Sequence, residues 1–275
     1  MSTRALQGRV TFPNLGVGLG YRPQLHRDVI KSVGRIDFLE VVSDNFFRNE
    51  TALHALRSLY TCVPHSLSLS VGSKTDPAYL ERVRRIVAIA DPPWFSDHLA
   101  FTRAGGIEIG HLAPVAHTEE SLRVVVENVK RVQAAIDRPF VLENVTMPFY
   151  WPDSTMEEHV FLAEVVKRTG CYLLLDLENV RVNLANHARG GRDLIDRLPL
   201  ERVAQVHIAG GAHADGVEHD THSAPVSEET WSLLEYLVDV CPPPAVLLER
   251  DGAFPPFPEL LAELDRARSI LGRAG

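Results

Sequence analysis

Hydrophobic and polar positions along the chain fall into one repeated pattern: a short apolar or β-branched run, a polar turn, then an amphipathic stretch of helical period. The apolar runs predict strands at Leu15–Leu19, Asp37–Val42, Val63–Leu69, Trp94–Leu99, Phe140–Val145, Tyr172–Leu177, Val203–Ile208 and Ala245–Glu249. They are compact and nearly continuous, as strands buried on both faces of a parallel sheet must be. Helices fall between them. The clearest, Glu119–Ile136, aligns Leu122, Val125, Val126, Val129 and Val132 in one apolar stripe. Its wet face pairs Glu119 with Arg123 and Glu127 with Arg131 at the i,i+4 spacing. Ser154-Thr-Met-Glu157 reads as a capping box opening the next helix, and Gly170 as its stop. Ser227 is expected to cap a helix through Val240, and Pro258–Leu271 to close the chain with Leu261, Leu264 and Leu271 on one side.

Eight such units in 275 residues average ~34 residues each, the dimension of a (β/α)8 barrel. The sequence therefore predicts an α/β fold, one TIM-barrel domain over residues 1–275, with a doubly wound sheet as the competing architecture. No internal repeat, low-complexity tract or linker divides the chain, and Pro242-Pro-Pro244 reads as a rigid turn before the eighth strand. Gly16-Val-Gly18-Leu-Gly20 invites a dinucleotide-binding reading, but Tyr21 stands where G-x-G-x-x-G needs its third glycine. A tight first turn is the better account of these glycines.

Composition narrows the function classes. A 45% hydrophobic chain with 23% charged residues belongs to a globular protein with a large core. The net charge of −8 repels a phosphate backbone, and no basic patch offsets it, so nucleic-acid binding is not expected. No apolar run approaches the ~20 residues that span a membrane. The N-terminal segment lacks a signal-peptide core, which predicts a cytoplasmic protein. Cys62, Cys171 and Cys241 are isolated among apolar residues, so they read as small buried hydrophobes and not as a zinc ribbon or disulfide framework.

The chemistry is concentrated at the carboxyl ends of the strands. Glu40 stands on the second, followed by Asp44 and Asn45; His65 on the third; His98 on the fourth; Glu143 on the fifth; Asp176 on the sixth; His207 on the seventh; and Glu249 on the eighth. In a barrel these ends meet at one mouth, where active sites form. A lone strand histidine is more often a hydrogen-bonded core residue than a ligand. A ring of ionisable residues is different, because buried charges are costly unless paired or bound to metal. After the seventh strand, Asp220 and His222 at i,i+2 would point the same way from an extended segment and clamp one ion. His213 and His219 read either as further ligands or as residues of a solvated glycine-rich loop, and His187 as part of a loop over the mouth. His26, His54, His111, His117 and His159 receive no role. Imidazoles and carboxylates without thiolates suit iron, manganese or zinc. The candidates exceed what one ion accepts, so two or three ions bridged by a carboxylate such as Glu143 are implied.

The chain also resembles a known family, the multinuclear non-haem iron-dependent oxidative enzymes that include the methanobactin biosynthesis oxidase. The resemblance is carried by Gly16-Val-Gly-Leu-Gly-Tyr-Arg, Phe38-Leu-Glu-Val-Val-Ser-Asp-Asn-Phe, His65-Ser-Leu-Ser-Leu-Ser-Val-Gly and Ser96-Asp-His-Leu-Ala-Phe. It continues through Leu142-Glu-Asn-Val, Leu175-Asp-Leu-Glu-Asn-Val, His207-Ile-Ala-Gly, Asp220-Thr-His-Ser-Ala-Pro-Val and Leu248-Glu-Arg-Asp. It implies a TIM barrel whose metal ligands are His65, His98, Glu143, Asp176, His207, Asp220, His222 and Glu249. Glu40, Asp44, Asn45, Asn144, Asn179, His187 and His213 are expected behind the ligands or against the substrate. Two departures stand out. Glu178 replaces the first asparagine of the family's Asp-x-Asn-Asn, and Gly211 replaces the second histidine of its His-x-Ala-Gly-His.

The resemblance further implies two or three iron ions in mixed Fe(II)/Fe(III) valence, with dioxygen as co-substrate. The expected activity is the oxidation of a ribosomally made precursor peptide, at cysteine, with no protein acid or base beyond the ligands. The predicted barrel consumes the chain, so a separate peptide-recognition protein is expected as partner. The alternative is a divalent-metal sugar isomerase or hydrolase on a xylose-isomerase-like barrel, where ions polarise a carbonyl or activate water without electron transfer.

Overall fold

The computed structural model describes residues 12–274. Eight parallel strands close into a barrel: β1 (Gly16–Tyr21), β2 (Phe38–Val42), β3 (Thr61–His65), β4 (Phe95–His98), β7 (Phe140–Glu143), β8 (Tyr172–Asp176), β9 (Val203–Ile208) and β12 (Ala245–Leu248). Each pairs with its neighbour, and β1 closes on β12 with Gly16 opposite Ala245. Two antiparallel hairpins, β5 (Ala100–Ala104) with β6 (Ile107–Pro114) and β10 (Ala212–Ala214) with β11 (Val217–His219), lie outside the barrel. The helices are α1 (His26–Lys31), α2 (Glu50–Arg57), α3 (Pro77–Ala90), α4 (Glu119–Ala135), α5 (Glu158–Thr169), α6 (Leu177–His187), α7 (Gly191–Arg197), α8 (Glu228–Val240) and α9 (Phe257–Leu271). This is the predicted TIM barrel, and the doubly wound alternative is set aside.

Period-two alternation along each strand separates two cores. Residues such as Leu39, Val41, Leu173 and Val206 join the shell beneath the helices, whereas Phe38, Val63, Trp94, Val141, Leu174 and Leu247 form a second cluster. In β2 and β3 that second set continues, two residues on, into Glu40 and His65. The same step leads from Val141 to Glu143 and from Leu174 to Asp176. One face of the strands is thus apolar low in the barrel and ionisable at the carboxyl ends.

Local expectations need four corrections. Gly16, Gly18 and Gly20 are strand residues of β1, not a turn; a Cβ on Gly18 would lie 2.5 Å from the Phe38 ring. The third strand ends at His65, because the amides of Leu67 and Ser68 donate to the Tyr79 hydroxyl and that of Leu69 to Asp97. Ser154 does not cap α5: its hydroxyl accepts from the His117 amide, and the helix starts after Glu157. The buried stripe of α9 is Leu260, Leu264, Ala267 and Ile270, with Leu261 and Leu271 half-buried. Gly170 and Ser227 terminate and cap their helices as predicted. Cys62 and Cys171 are buried, and burial pushes their thiols up to about 12 and about 11; Cys241 is half-buried.

Candidate metal centre

Three overlapping groups of ligand-type side chains sit at the strand ends: His65, His98 and Glu143; Glu143, Asp176 and His207; and Asp176, His222 and Glu249. Within each, the ligand atoms lie within 4.8 Å of one another. The first group is built by β3, β4 and β7. Nε2 of His65 and Nε2 of His98 are 3.3 Å apart, and each stands 3.5 Å from Glu143 Oε2. Ser96 holds Nδ1 of His65 at 2.8 Å, which leaves Nε2 directed at the group.

Glu143 passes its other oxygen to the second group, where Oε1 is 3.5 Å from His207 Nδ1. That nitrogen is also 3.8 Å from Asp176 Oδ2 and 3.1 Å from Glu249 Oε2. On the far side of the ring, His207 Nε2 meets Glu40 Oε2 at 3.0 Å. Glu40 in turn accepts from Gln205 at 2.5 Å, and Gln205 accepts from the Trp94 indole at 2.8 Å. A carboxylate behind the imidazole fixes its tautomer and raises its basicity toward a metal. The third group completes the arc, with His222 Nδ1 at 3.2 Å from Glu249 Oε2 and Nε2 at 3.8 Å from Asp176 Oδ2.

Electrostatics follow from burial and mutual charge. Burial opposes the charge on His98, but Glu143, Asp97 and Glu249 outweigh it and raise the imidazole to about 9. Burial would raise Glu143, yet His98, His207 and His65 bring it down to about 2. Burial likewise opposes charge on His207 and His222, and nearby carboxylates led by Glu40 and Glu249 respectively carry both well above the usual range. Asp176 goes the other way: burial, reinforced by Asp220 and Glu143, lifts it well above an ordinary carboxylate despite His222. The cluster demands positive charge.

The residues fit metal ions. Glu143 Oε2, Asp176 Oδ2 and His207 Nδ1 are buried atoms without a hydrogen-bond partner. Such orphans are costly and call for an explanation. Separations of 3.1–3.8 Å between these donors suit atoms sharing an ion at ~2.1 Å. All donors are nitrogen or oxygen.

The remaining predicted residues divide. Asp220 Oδ1 lies 2.5 Å from His222 Nε2 and lines the mouth cavity, outside the three groups. The segment is not extended as expected: His222 adopts a left-handed backbone, φ +47°, which turns its ring back toward Asp176. Asn144 clamps the backbone of Asp176 from both sides, and Asn179 donates from its backbone to Asp176 Oδ1 at 2.7 Å. Asn45 lines the cavity, whereas Asp44 is held by Tyr79 at 2.7 Å away from it. His187 is not over the mouth; it meets the Met147 carbonyl at 2.5 Å and packs on Tyr150. His213 is exposed on β10 and paired with Glu218, so it does not replace the missing histidine.

The two family departures meet each other. Glu178 is fully buried and accepts from the Gly211 amide at 2.9 Å, from Arg181 and from the Thr230 hydroxyl at 2.7 Å. It belongs to none of the three groups and does not line the mouth cavity.

The mouth opens into a cavity of about 420 Å³ lined by His65, His98, Glu143, Asn179, His222 and Glu249 among others. His111 lines it too, which the sequence reading missed. Residues 109–112 of β6 face only Thr102 across the hairpin, and Gly110 at φ +70° lets this bulge carry His111 and Leu112 into the mouth. The sequence signal was available: Gly105-Gly106 and Asp215-Gly216, all at positive φ, are hairpin turn pairs.

A family model described as "RiPP precursor modification enzyme MbnB/TglH/ChrH" matches residues 16–272. The chain belongs to this family. A UPF0276 protein of Caulobacter vibrioides is 40% identical over 270 residues, covering 94% of this chain and 96% of its own. A UPF0276 protein of Bordetella bronchiseptica is 36% identical, covering 93% and 92%. Among solved structures, the E. coli 3-keto-D-glucoside 4-epimerase superposes with a TM-score of 0.61 at 15% identity, covering 93% of this chain and 99% of that one. The D-psicose 3-epimerase of Clostridium cellulolyticum H10 gives 0.60 at 12%, covering 94% and 97%. These epimerases share the barrel; at such identity they establish the fold alone. The family is described as one of enzymes that modify RiPP precursors, RiPP denoting a ribosomally synthesised and post-translationally modified peptide. No described helix is long and apolar enough to cross a membrane.

Proposed function

We propose that this protein is a multinuclear iron-dependent oxidase that modifies a ribosomally made peptide at cysteine, with dioxygen as electron acceptor. The observation that carries the reading is the continuous arc of three ligand groups sharing Glu143 and Asp176, set in a peptide-modifying family. His65, His98, Glu143, Asp176, His207, Asp220, His222 and Glu249 would hold two or three ions. When bound, iron would supply a redox-active, Lewis-acidic charge for oxidation of the substrate thiol and its neighbouring amide. The chain's residues do the rest. Ser96 and Glu40 orient His65 and His207. Asn144 and Asn179 brace Asp176. Leu67, Val145 and Leu112 give the cavity an apolar wall, while Asn45, Thr146 and Thr221 offer neutral hydrogen-bonding groups suited to peptide amides. A separate recognition protein would deliver the precursor.

Metal analysis of protein purified without added metal, paired with Mössbauer spectra, tests this reading. Two or more exchange-coupled irons per chain are expected. Zinc or manganese alone, persisting after anaerobic iron reconstitution, would overturn it in favour of an isomerase or hydrolase, which would also work unchanged under argon.

A further inference from the structure

The three ligand groups differ in their access to an arginine or lysine of the protein itself. Arg22, the residue after β1, reaches to the end of the adjacent strand β12 and donates from Nη2 to Glu249 Oε1 at 2.7 Å and from Nε to Asp251 Oδ1 at 2.7 Å. Its side chain is only 12% exposed, so the charge is little screened by solvent. Gly20 leaves it room: a Cβ there would lie 3.2 Å from Arg22 Nη1. Among the described residues, no other arginine or lysine pairs with a carboxylate of the three groups.

The consequence is asymmetric. Glu143 turns one oxygen to each of its two groups, where imidazoles face it but no arginine or lysine among the described residues does. Glu249 has one oxygen taken by Arg22, leaving only Oε2 toward His207 and His222. A fixed guanidinium in contact with a ligand carboxylate also repels any metal cation that the carboxylate would bind.

We propose that Arg22 is an internal competitor for Glu249 that makes the Asp176–His222–Glu249 group the weakest of the three and its ion the exchangeable one. Asp251 sets the strength of the competition by sharing the guanidinium. Arg22 is thus a positioning residue acting through Glu249. The inference rests on the metal reading of the three groups but not on iron or on oxygen chemistry.

The test is release of Fe(II) from anaerobically loaded full-length protein into excess ferrozine, with bound iron counted beforehand. Wild-type protein binding two or more ions establishes the metal reading; no stoichiometric iron would overturn that reading, a separate result from the ordering below. Wild-type release is expected to show a fast phase of one ion per chain. Arg22→Gln should slow that phase about tenfold or more and leave the slower release unchanged. Asp251→Asn, at a side chain 44% exposed, should speed it, because Arg22 then serves Glu249 alone and the carboxylate 3.7 Å from His222 Nδ1 loses its charge. A merely structural disturbance would speed release in both variants. Faster or unchanged release in Arg22→Gln overturns the proposal. Should that variant fail to fold, slower or unchanged release in Asp251→Asn overturns it equally.

Discussion

Glu40 does not touch any of the three ligand groups' open side, yet it should control the affinity of the central one. Its Oε2 faces His207 Nε2 at 3.0 Å; the Gln205 amide nitrogen, 2.9 Å from the same ring nitrogen, donates to Glu40, so the carboxylate keeps the ring proton on Nε2 and frees Nδ1 toward Glu143, Asp176 and Glu249. Glu40→Gln preserves the shape and removes the charge. Gln205 cannot turn over to accommodate the new amide, because its oxygen is fixed by the Trp94 indole at 2.8 Å. The new side chain must therefore give its oxygen to both Gln205 and His207, and its NH2 group falls where Glu40 Oε1 lies buried without a partner. Exchanging a charged acceptor for a neutral one costs about 1–1.5 kcal/mol, roughly tenfold in metal affinity. Glu40→Ala, which leaves the ring unheld, should approach the ~100-fold limit for such outer partners. Co(II) titration against a competing chelator, read in the visible spectrum, measures both. Metal affinity unchanged in Glu40→Gln, even with a lower melting temperature, would refute the idea that Glu40 works through His207.

Two further predictions concern the scaffold. His117 is buried, stacked on Phe161 with centroids 4.7 Å apart, and burial, helped by Arg189, lowers its imidazole to about 4. It is neutral in the folded state while the unfolded chain takes a proton near 6.5, so about 3 kcal/mol of stability present above that pH is lost as pH falls toward 4. Urea denaturation of His117→Phe should show a pH dependence smaller by up to one proton across this window; an unchanged slope would refute the assignment. Gly211→Ala would place a Cβ 2.3 Å from the His219 carbonyl oxygen and 2.8 Å from Glu178 Oε1. Overpacking of that kind costs about 1–3 kcal/mol, a melting point lower by several degrees, and an unshifted melt would show that the loop simply yields.

The barrel was legible because its strands are buried on both faces and leave compact apolar runs. What the runs could not reveal was the pairing of short exposed segments. β6 is mostly exposed, Ile107 and Ile109 included, and its existence depends on the Gly105-Gly106 turn. The same blindness hid His111: only a bulge opposite Thr102 turns a surface strand residue into the mouth. Ser154 illustrates a different failure. Its local capping pattern is sound, but the His117 amide, distant in sequence, claims the hydroxyl first.

The candidate site was legible for a physical reason, namely that Val, Ile and Leu are the ordinary content of a parallel barrel and ionisable residues at successive strand ends break that rule together. Residues off the strands were judged less well, since no periodicity fixes their direction: His187 and His213 point elsewhere, while His222 reaches the site through a left-handed backbone no local pattern predicts. Glu178 and Gly211 make the same point from the other side. Taken singly against the family pattern, one adds a carboxylate near the ligands and the other deletes a histidine. In space they are one feature. The carboxylate of Glu178 is satisfied by the Gly211 amide, Arg181 and Thr230, and a Cβ at position 211 would press against it. The two departures thus accommodate each other behind the loop that carries Asp220 and His222, and the charge of the three ligand groups is set without them.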